Sequence, residues 1–487
     1  MKKLYRILGI VLLSAGLASC DGFLETNPSA SVSDSDVFTT VNGAQAALNG
    51  AYYQLFYGDG GAGRSDDWGY TTQLMTFSAD GEDLIVWGGW YCFDYNMWGH
   101  TRGDIFKASC MWIYWYRLVN NCNSIIAYVD DSYGDQAAKD HIKGQALALR
   151  GFAYFNLVRL YQHTYSVAKD MPGVPVYTEP TSDQTPGKGR GTVQDVYDQI
   201  LADFTAAEKL LEGFSRAGEK NLIDRDVVRC FLAQTYLTME NWSKAAEYAH
   251  MVNEVYPLTS NDDYYSGFNN ANTPSWIWCQ YQNDEDNLGD YSPFAMWANW
   301  IAPRDGNSGW TFQCFFLADS FTALFEDSDI RKGQFFRTWD MIDCSTKFYD
   351  ASDLRGEIVY LREEEMLLTE AEALARQGKT TDAAALLNEL QDLRGATKTD
   401  GTVENILIER RKELYGEGLD WYDMKRNRKP LVRGSNHYVA GGDVQIPADS
   451  WRFVYQIPNS EIVNNPEMDS AFWPVGDQNP FEGVCTF

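Results

Sequence analysis

Residues 86–98 read VWGGWYCFDYNMW: six of thirteen positions are aromatic, three of them tryptophan, and two adjacent glycines interrupt any helix. A second stretch, MWANWIAPRDGNSGW at 296–310, sets Trp297, Trp300 and Trp310 among Asn299, Arg304, Asp305 and Asn307. Eleven of the sixteen tryptophans fall within residues 68–116 and 276–310. A tryptophan face is flat, rigid and electron-rich, and a pyranose ring presents a flat face of polarised C–H groups. Stacking the two buries apolar area and leaves the sugar hydroxyls to amide, carboxylate and guanidinium partners. The chemistry these residues offer is therefore sugar recognition. Trp112 and Trp115 differ, because they lie on an apolar helical stripe and read as core.

Catalytic patterns fail by comparison. There is no HExxH, GxSxG or Walker A motif; Gly378-Lys379-Thr380 ends like a phosphate loop, but the required first glycine is Ala373. Gly58, Gly60 and Gly63 match GxGxxG but follow an apparent helix, not a strand, and read as a loop. The five histidines are scattered, and no Cys or His pair has zinc-ligand spacing, so neither a metal nor a cofactor is expected. Carboxylate pairs are plentiful in an acidic chain, and nothing singles one out for glycoside hydrolysis. The reading is a non-enzyme.

A formal charge of −28 repels phosphate backbones and anionic headgroups, which excludes nucleic acid as a partner. At the N-terminus, Lys2, Lys3 and Arg6 precede an apolar run from Ile7 to Leu13 and small residues up to Cys20. That run is far short of the about 20 residues that span a bilayer, so it reads as an export signal covering residues 1–19. Leu17-Ala18-Ser19-Cys20 has the form of a bacterial lipobox, in which Cys20 is acylated and anchors the mature chain to a membrane. The eight later cysteines form no CxxC pair and most read as small buried hydrophobes.

Helices must position these rings. In 192–213 the residues Val193, Val196, Tyr197, Ile200, Phe204, Ala207 and Leu211 form one stripe, with Thr192 as N-cap and Gly213 as stop. Residues 105–129 and 141–161 also read as helices. Two helical hairpins, 233–250 and 371–388, superpose with a single offset of 138: Ala233 on Ala371, Tyr236 on Leu374, Ala245 on Ala383. This small–large–turn–small pattern is that of tetratricopeptide-like helix pairs. The expected architecture is mostly α: a helical scaffold over about 105–255 and 360–430, with loop-rich ligand-binding segments at about 57–104 and 257–345.

From 360 to 428 the chain carries YLREEEMLLTEAEALAR, LN before LR, and ERRKEL-EG-WYDMKR; SADGED stands at 78–83, ALRGFAYFNLVRLY with GVPVY follows, and NSEIVNNPEM precedes QNPF. Together with Cys20 and DGFLETNPS, these resemble the SusD/RagB family of outer-membrane nutrient-binding lipoproteins across essentially all of residues 20–487. The resemblance implies a tetratricopeptide-like scaffold, display on the exterior of the outer membrane, and pairing with a SusC-like TonB-dependent transporter that receives captured oligosaccharide. It implies sugar contacts after the SxDxxD-like stretch, here Trp87, Trp90, Tyr91, Asn96 and Trp98, and more loosely Trp297, Trp300, Arg304 and Trp310. It also implies that Arg410, Glu413, Glu417, Asp423 and Arg426 hold the fold by ion pairing. A peptide ligand, as in RagB-like relatives, and a structural lid without its own ligand site remain open alternatives.

Overall fold

The computed structural model describes residues 37–56, 69–86, 91–96, 103, 106–284, 288–289, 292–298, 315–337, 343–350, 354–434, 436–437 and 445–468. Cys20 and the signal-like segment lie outside them. The described chain is mostly helical: α1 Val41–Phe56, α2 Gly69–Asp80, α3 Phe106–Tyr128, α4 Gln136–Tyr161, α5 Val193–Leu210, α6 Arg225–Thr238, α7 Trp242–Asn253, α8 Glu363–Arg376, α9 Thr380–Leu393, α10 Val403–Leu414 and α11 Asp420–Arg426. None of these helices is long and apolar enough to cross a membrane.

Local chemistry sets the ends. The Thr192 hydroxyl accepts from the Asp195 amide while the Asp195 carboxylate accepts from the Thr192 amide, a reciprocal cap worth about 1 kcal/mol. The whole stripe expected on α5 is buried. α4 begins at Gln136, five residues before the apolar periodicity does, because the Asp135 carboxylate accepts from the Ala138 amide and caps an exposed first turn.

The two hairpins obey the 138-residue offset in three dimensions. α6 and α8 begin at 225 and 363, α7 and α9 at 242 and 380. Ala233, Ala245, Ala371 and Ala383 are fully buried, letting the paired helices approach closely. Each turn has a left-handed residue at the same place, Glu240 (φ 60°) and Gly378 (φ 79°). Leu237, Ala245 and Ala246 of the first pair pack against Ala373 of the second, so the pairs stack into one continuous scaffold.

Short strands complete the fold. β1 Leu84–Val86, β3 Phe315–Leu317, β5 Asp343–Ser345 and β4 Phe335–Arg337 form one sheet in that order, all antiparallel. β2 Trp276–Gln280 pairs antiparallel with β6 Ile358–Arg362, which runs directly into α8. Helices α1 and α3–α7 enclose the larger core, where Trp112 and Trp115 are buried as expected. A second core, rich in aromatic rings, lies around the four-stranded sheet.

Candidate functional site

The sheet brings the two tryptophan-bearing segments to one place. In the β1–β3 ladder Val86 lies opposite Phe315. The residues that follow β1 and those that precede β3 therefore leave the ladder at the same end. Tyr91, at the start of the short helix Cys92–Tyr95, sets its ring 5.2 Å from that of Phe315. Trp297, in the short helix Pro293–Ala298, meets the same ring at 5.6 Å.

This placement corrects the sequence reading of two residues. Tyr91 and Trp297 are both 0% exposed. Trp297 also packs against Phe348 and Tyr415, and Gly416, at φ 76°, lies so close that a Cβ there would stand 2.8 Å from the indole. These rings form the inner wall of the aromatic core and have no free face for a sugar. Asn96 is half-buried and its Nδ2 donates to the Cys92 carbonyl (2.7 Å), closing the short helix. Trp87, Trp90, Trp98, Trp300, Arg304 and Trp310 lie outside the described residues, and only their neighbours' convergence on Phe315 is seen.

The stretch from Ser78 to Asn96 is tied to the C-terminal part of the chain. Arg433 donates to the carbonyls of Ala79, Asp80, Gly81 and Tyr95, and its guanidinium lies 4.2 Å from the Tyr95 ring centre. Tyr455 donates to the Asp80 carboxylate (3.0 Å), the Tyr95 hydroxyl meets His437 Nδ1 (2.8 Å), and buried Lys107 faces buried Asp94 at 3.6 Å. The Ser78 hydroxyl accepts from the Gly418 amide, and the Asp420 carboxylate accepts from the Glu82 amide. Asp83 and Glu82 both pair with Arg411. Every acid of SADGED is thus committed to the fold.

Electrostatics follow from that burial. Desolvation, reinforced by the charge on Asp94, pushes the Asp80 carboxyl well above the usual range. Burial next to cationic Arg433 lowers His437 to about 4, so it is neutral at physiological pH. Arg433, Tyr455 and His437 went unnoticed in the sequence, since each acts across more than 300 residues without any local signature.

The ERRKEL and WYDMKR side chains form the expected ion pairs. Glu413 meets Arg331 (3.0 Å), Arg362 (2.9 Å) and Arg394 (2.9 Å). Arg410 pairs with Asp423 (3.0 Å), and Arg426 pairs with Glu372 (2.6 Å) and Asp423 (2.8 Å). Among the described residues no group of three or more His, Cys, Asp and Glu is arranged to hold a metal ion.

With this geometry in hand, comparison with known families is specific. Residues 82–237 match a family described as starch-binding and associating with the outer membrane, and residues 345–479 match the SusD family. The chain belongs to the SusD/RagB family. SusD-like protein P38 of Formosa agariphila is 25% identical over 94% of this chain and 97% of its own. A solved SusD-like carbohydrate-binding protein from Bacteroides vulgatus is 27% identical, with a TM-score of 0.81 over 90% of this chain and 99% of that one. A laminarin-binding SusD-like protein shares the SusD fold at 19% identity, TM-score 0.69, over 89% and 99% of the two chains.

Proposed function

We propose that this SusD/RagB protein is a non-catalytic glycan-binding lipoprotein of the cell surface. Cys20 carries the lipid that holds it to the outer membrane, facing outward. It captures oligosaccharides and passes them to a SusC-like TonB-dependent transporter. The observation that carries the reading is the meeting of the two tryptophan-bearing segments at Phe315. Trp87, Trp90, Trp98, Trp300 and Trp310 are the stacking residues in this proposal, with Arg304 and Asn96 as polar partners; the buried Tyr91 and Trp297 belong to the aromatic core. The similarity to a carbohydrate-binding SusD-like protein supports a sugar as the ligand.

The test is affinity for a retained polysaccharide after Trp87→Ala and Trp90→Ala. Loss of a central stacking ring weakens binding by about 2 kcal/mol, roughly thirtyfold. Unchanged affinity in both variants, with the fold intact, rejects the platform. Capture of peptides in place of glycans moves the protein to the RagB-like reading.

A further inference from the structure

A cleft of about 370 Å³ opens between the C-terminal end of α1, the β2–β6 pair and the loop that carries Asn221. That volume lies in the range of small-ligand sites, about 300–1,000 Å³. Its described lining holds six aromatic rings and four carboxamides and, among those described residues, no charged side chain. In a chain of net charge −28 a described lining without a charged side chain is itself distinctive. That described lining sets no opposite charge against a phosphate, a carboxylate or a cation, and a purely apolar guest would strand the amides.

Two polar atoms of the lining already lack partners. Gln280 is 7% exposed; its Oε1 accepts from Thr71 and Tyr360, while its Nε2 has no acceptor. Asn221 Oδ1 has no donor, although the Asn221 backbone carbonyl is used by the Trp278 indole (3.0 Å). One atom is a spare donor and the other a spare acceptor, the two faces of a hydroxyl. Both are shielded from solvent, so each amide must turn toward the cleft to meet a ligand, and in Gln280 that turn exchanges the Thr71 and Tyr360 bonds for bonds to ligand hydroxyls. Tyr53, 51% exposed and with its ring stacked on Phe56 at 6.4 Å, lines the same cleft, as does Tyr281.

We infer that this cleft is a second binding site for a neutral oligosaccharide, with Tyr53 as the stacking platform and Asn221, Gln280 and Asn283 as hydroxyl partners. The inference shares its ligand class with the proposed function but rests on different residues. Phe56 belongs to the same aromatic core as Tyr91 and Trp297, so the cleft and the tryptophan-bearing segments flank one core.

The experiment uses the chain from Asp21 onward with maltohexaose, laminarihexaose, mannohexaose and a neutral hexapeptide, read by calorimetry and hydrogen–deuterium exchange. One hexasaccharide is expected to protect the segments 218–223 and 278–284, and Tyr53→Ala or Asn221→Ala to weaken its binding at least tenfold at unchanged Tm. Protection of the cleft that persists in Trp87→Ala and Trp90→Ala supports this site even where the tryptophan platform fails. Binding lost in Trp87→Ala but unchanged in Tyr53→Ala and Asn221→Ala, with no protection in the cleft, rejects the cleft and leaves the proposed function standing. Binding of no hexasaccharide, or protection of the cleft by the peptide alone, overturns the inference.

Discussion

Replacing Glu413 by glutamine removes one charge from a buried network and should be among the most damaging single-atom-scale changes available in this protein. Arg331, Arg362, Arg394, Lys347 and Lys412 face Asp329, Glu364, Glu409, Glu413 and Glu417 in one connected set, five cations against five anions, all nine-tenths or more buried. Glu413 Oε1 accepts from Arg362 and Arg394, and Oε2 from Arg331 and Arg394. An amide keeps one of these oxygens and turns an NH₂ toward guanidinium groups, so two of four charged hydrogen bonds are lost. At about 1.5–3 kcal/mol each the cost is about 4 kcal/mol, in line with breaking a buried ion pair. With an unfolding entropy of about 2 cal/mol/K per residue, a chain of this length loses roughly 1 °C per kcal/mol, so Tm falls by about 4 °C. Burial opposes the charge on Glu413, but Arg394, Arg362 and Arg331 outweigh it and hold the carboxyl well below its ordinary 4.5. A depressed folded value adds stability above the unfolded one and loses it as pH falls through the folded one. The penalty of Glu413→Gln should therefore be full at pH 7 and shrink below about pH 4.5. Urea titration and calorimetry measure it, with Glu404→Gln as the control. Glu404 pairs with Lys429 at an exposed site, where a salt bridge is worth about 0–1 kcal/mol. A loss under about 1 kcal/mol for Glu413→Gln at pH 7 would refute the reasoning.

Glu363 runs the other way: burial, then the charge of Glu364, raises its carboxyl to about 10. Between pH 5 and 8 the unfolded chain releases this proton and the folded one keeps it, so stability declines with pH by up to about 1.4 kcal/mol per unit. Glu363→Gln should remove that decline, seen as a variant that gains on the wild type as pH rises. Gly418 sits at φ 79°, and a Cβ there would stand 2.8 Å from the Leu74 Cα. Gly418→Ala should cost about 3 kcal/mol from left-handed strain and overpacking, measured by urea titration. Glu240 occupies the turn position that Gly378 fills in the other hairpin, so Glu240→Gly should raise stability by about 0.5 kcal/mol.

Much of the scaffold was legible because helices and hairpins are local. The stripe of α5, its Thr192 cap and the repeated alanines of α6–α7 and α8–α9 each need only a few neighbouring residues. The strands were not legible, since three-residue elements carry no periodicity, and the partner of Leu84–Val86 lies more than 200 residues away. The same non-locality explains Tyr91 and Trp297. Glycine, asparagine and proline nearby mark a loop, but only the pairing of β1 with β3 reveals that Phe315 covers both rings. The Tyr53 cleft was missed for a like reason: its amides and rings come from residues 49–56, 221–222 and 278–283, with Tyr360, and no one of these looks unusual alone. The ion pairs of the ERRKEL region were anticipated from the resemblance, yet the burial of Arg331 and Arg394 was not, because arginine is ordinarily a surface residue.

Affinity gel electrophoresis of the chain from Asp21 onward, against neutral and acidic polysaccharides, bears most directly on glycan capture. Retardation is expected in at least one neutral polysaccharide, with no product released from it. Unretarded migration in every polysaccharide, alongside binding of peptides, would contradict capture of glycans and reassign the ligand.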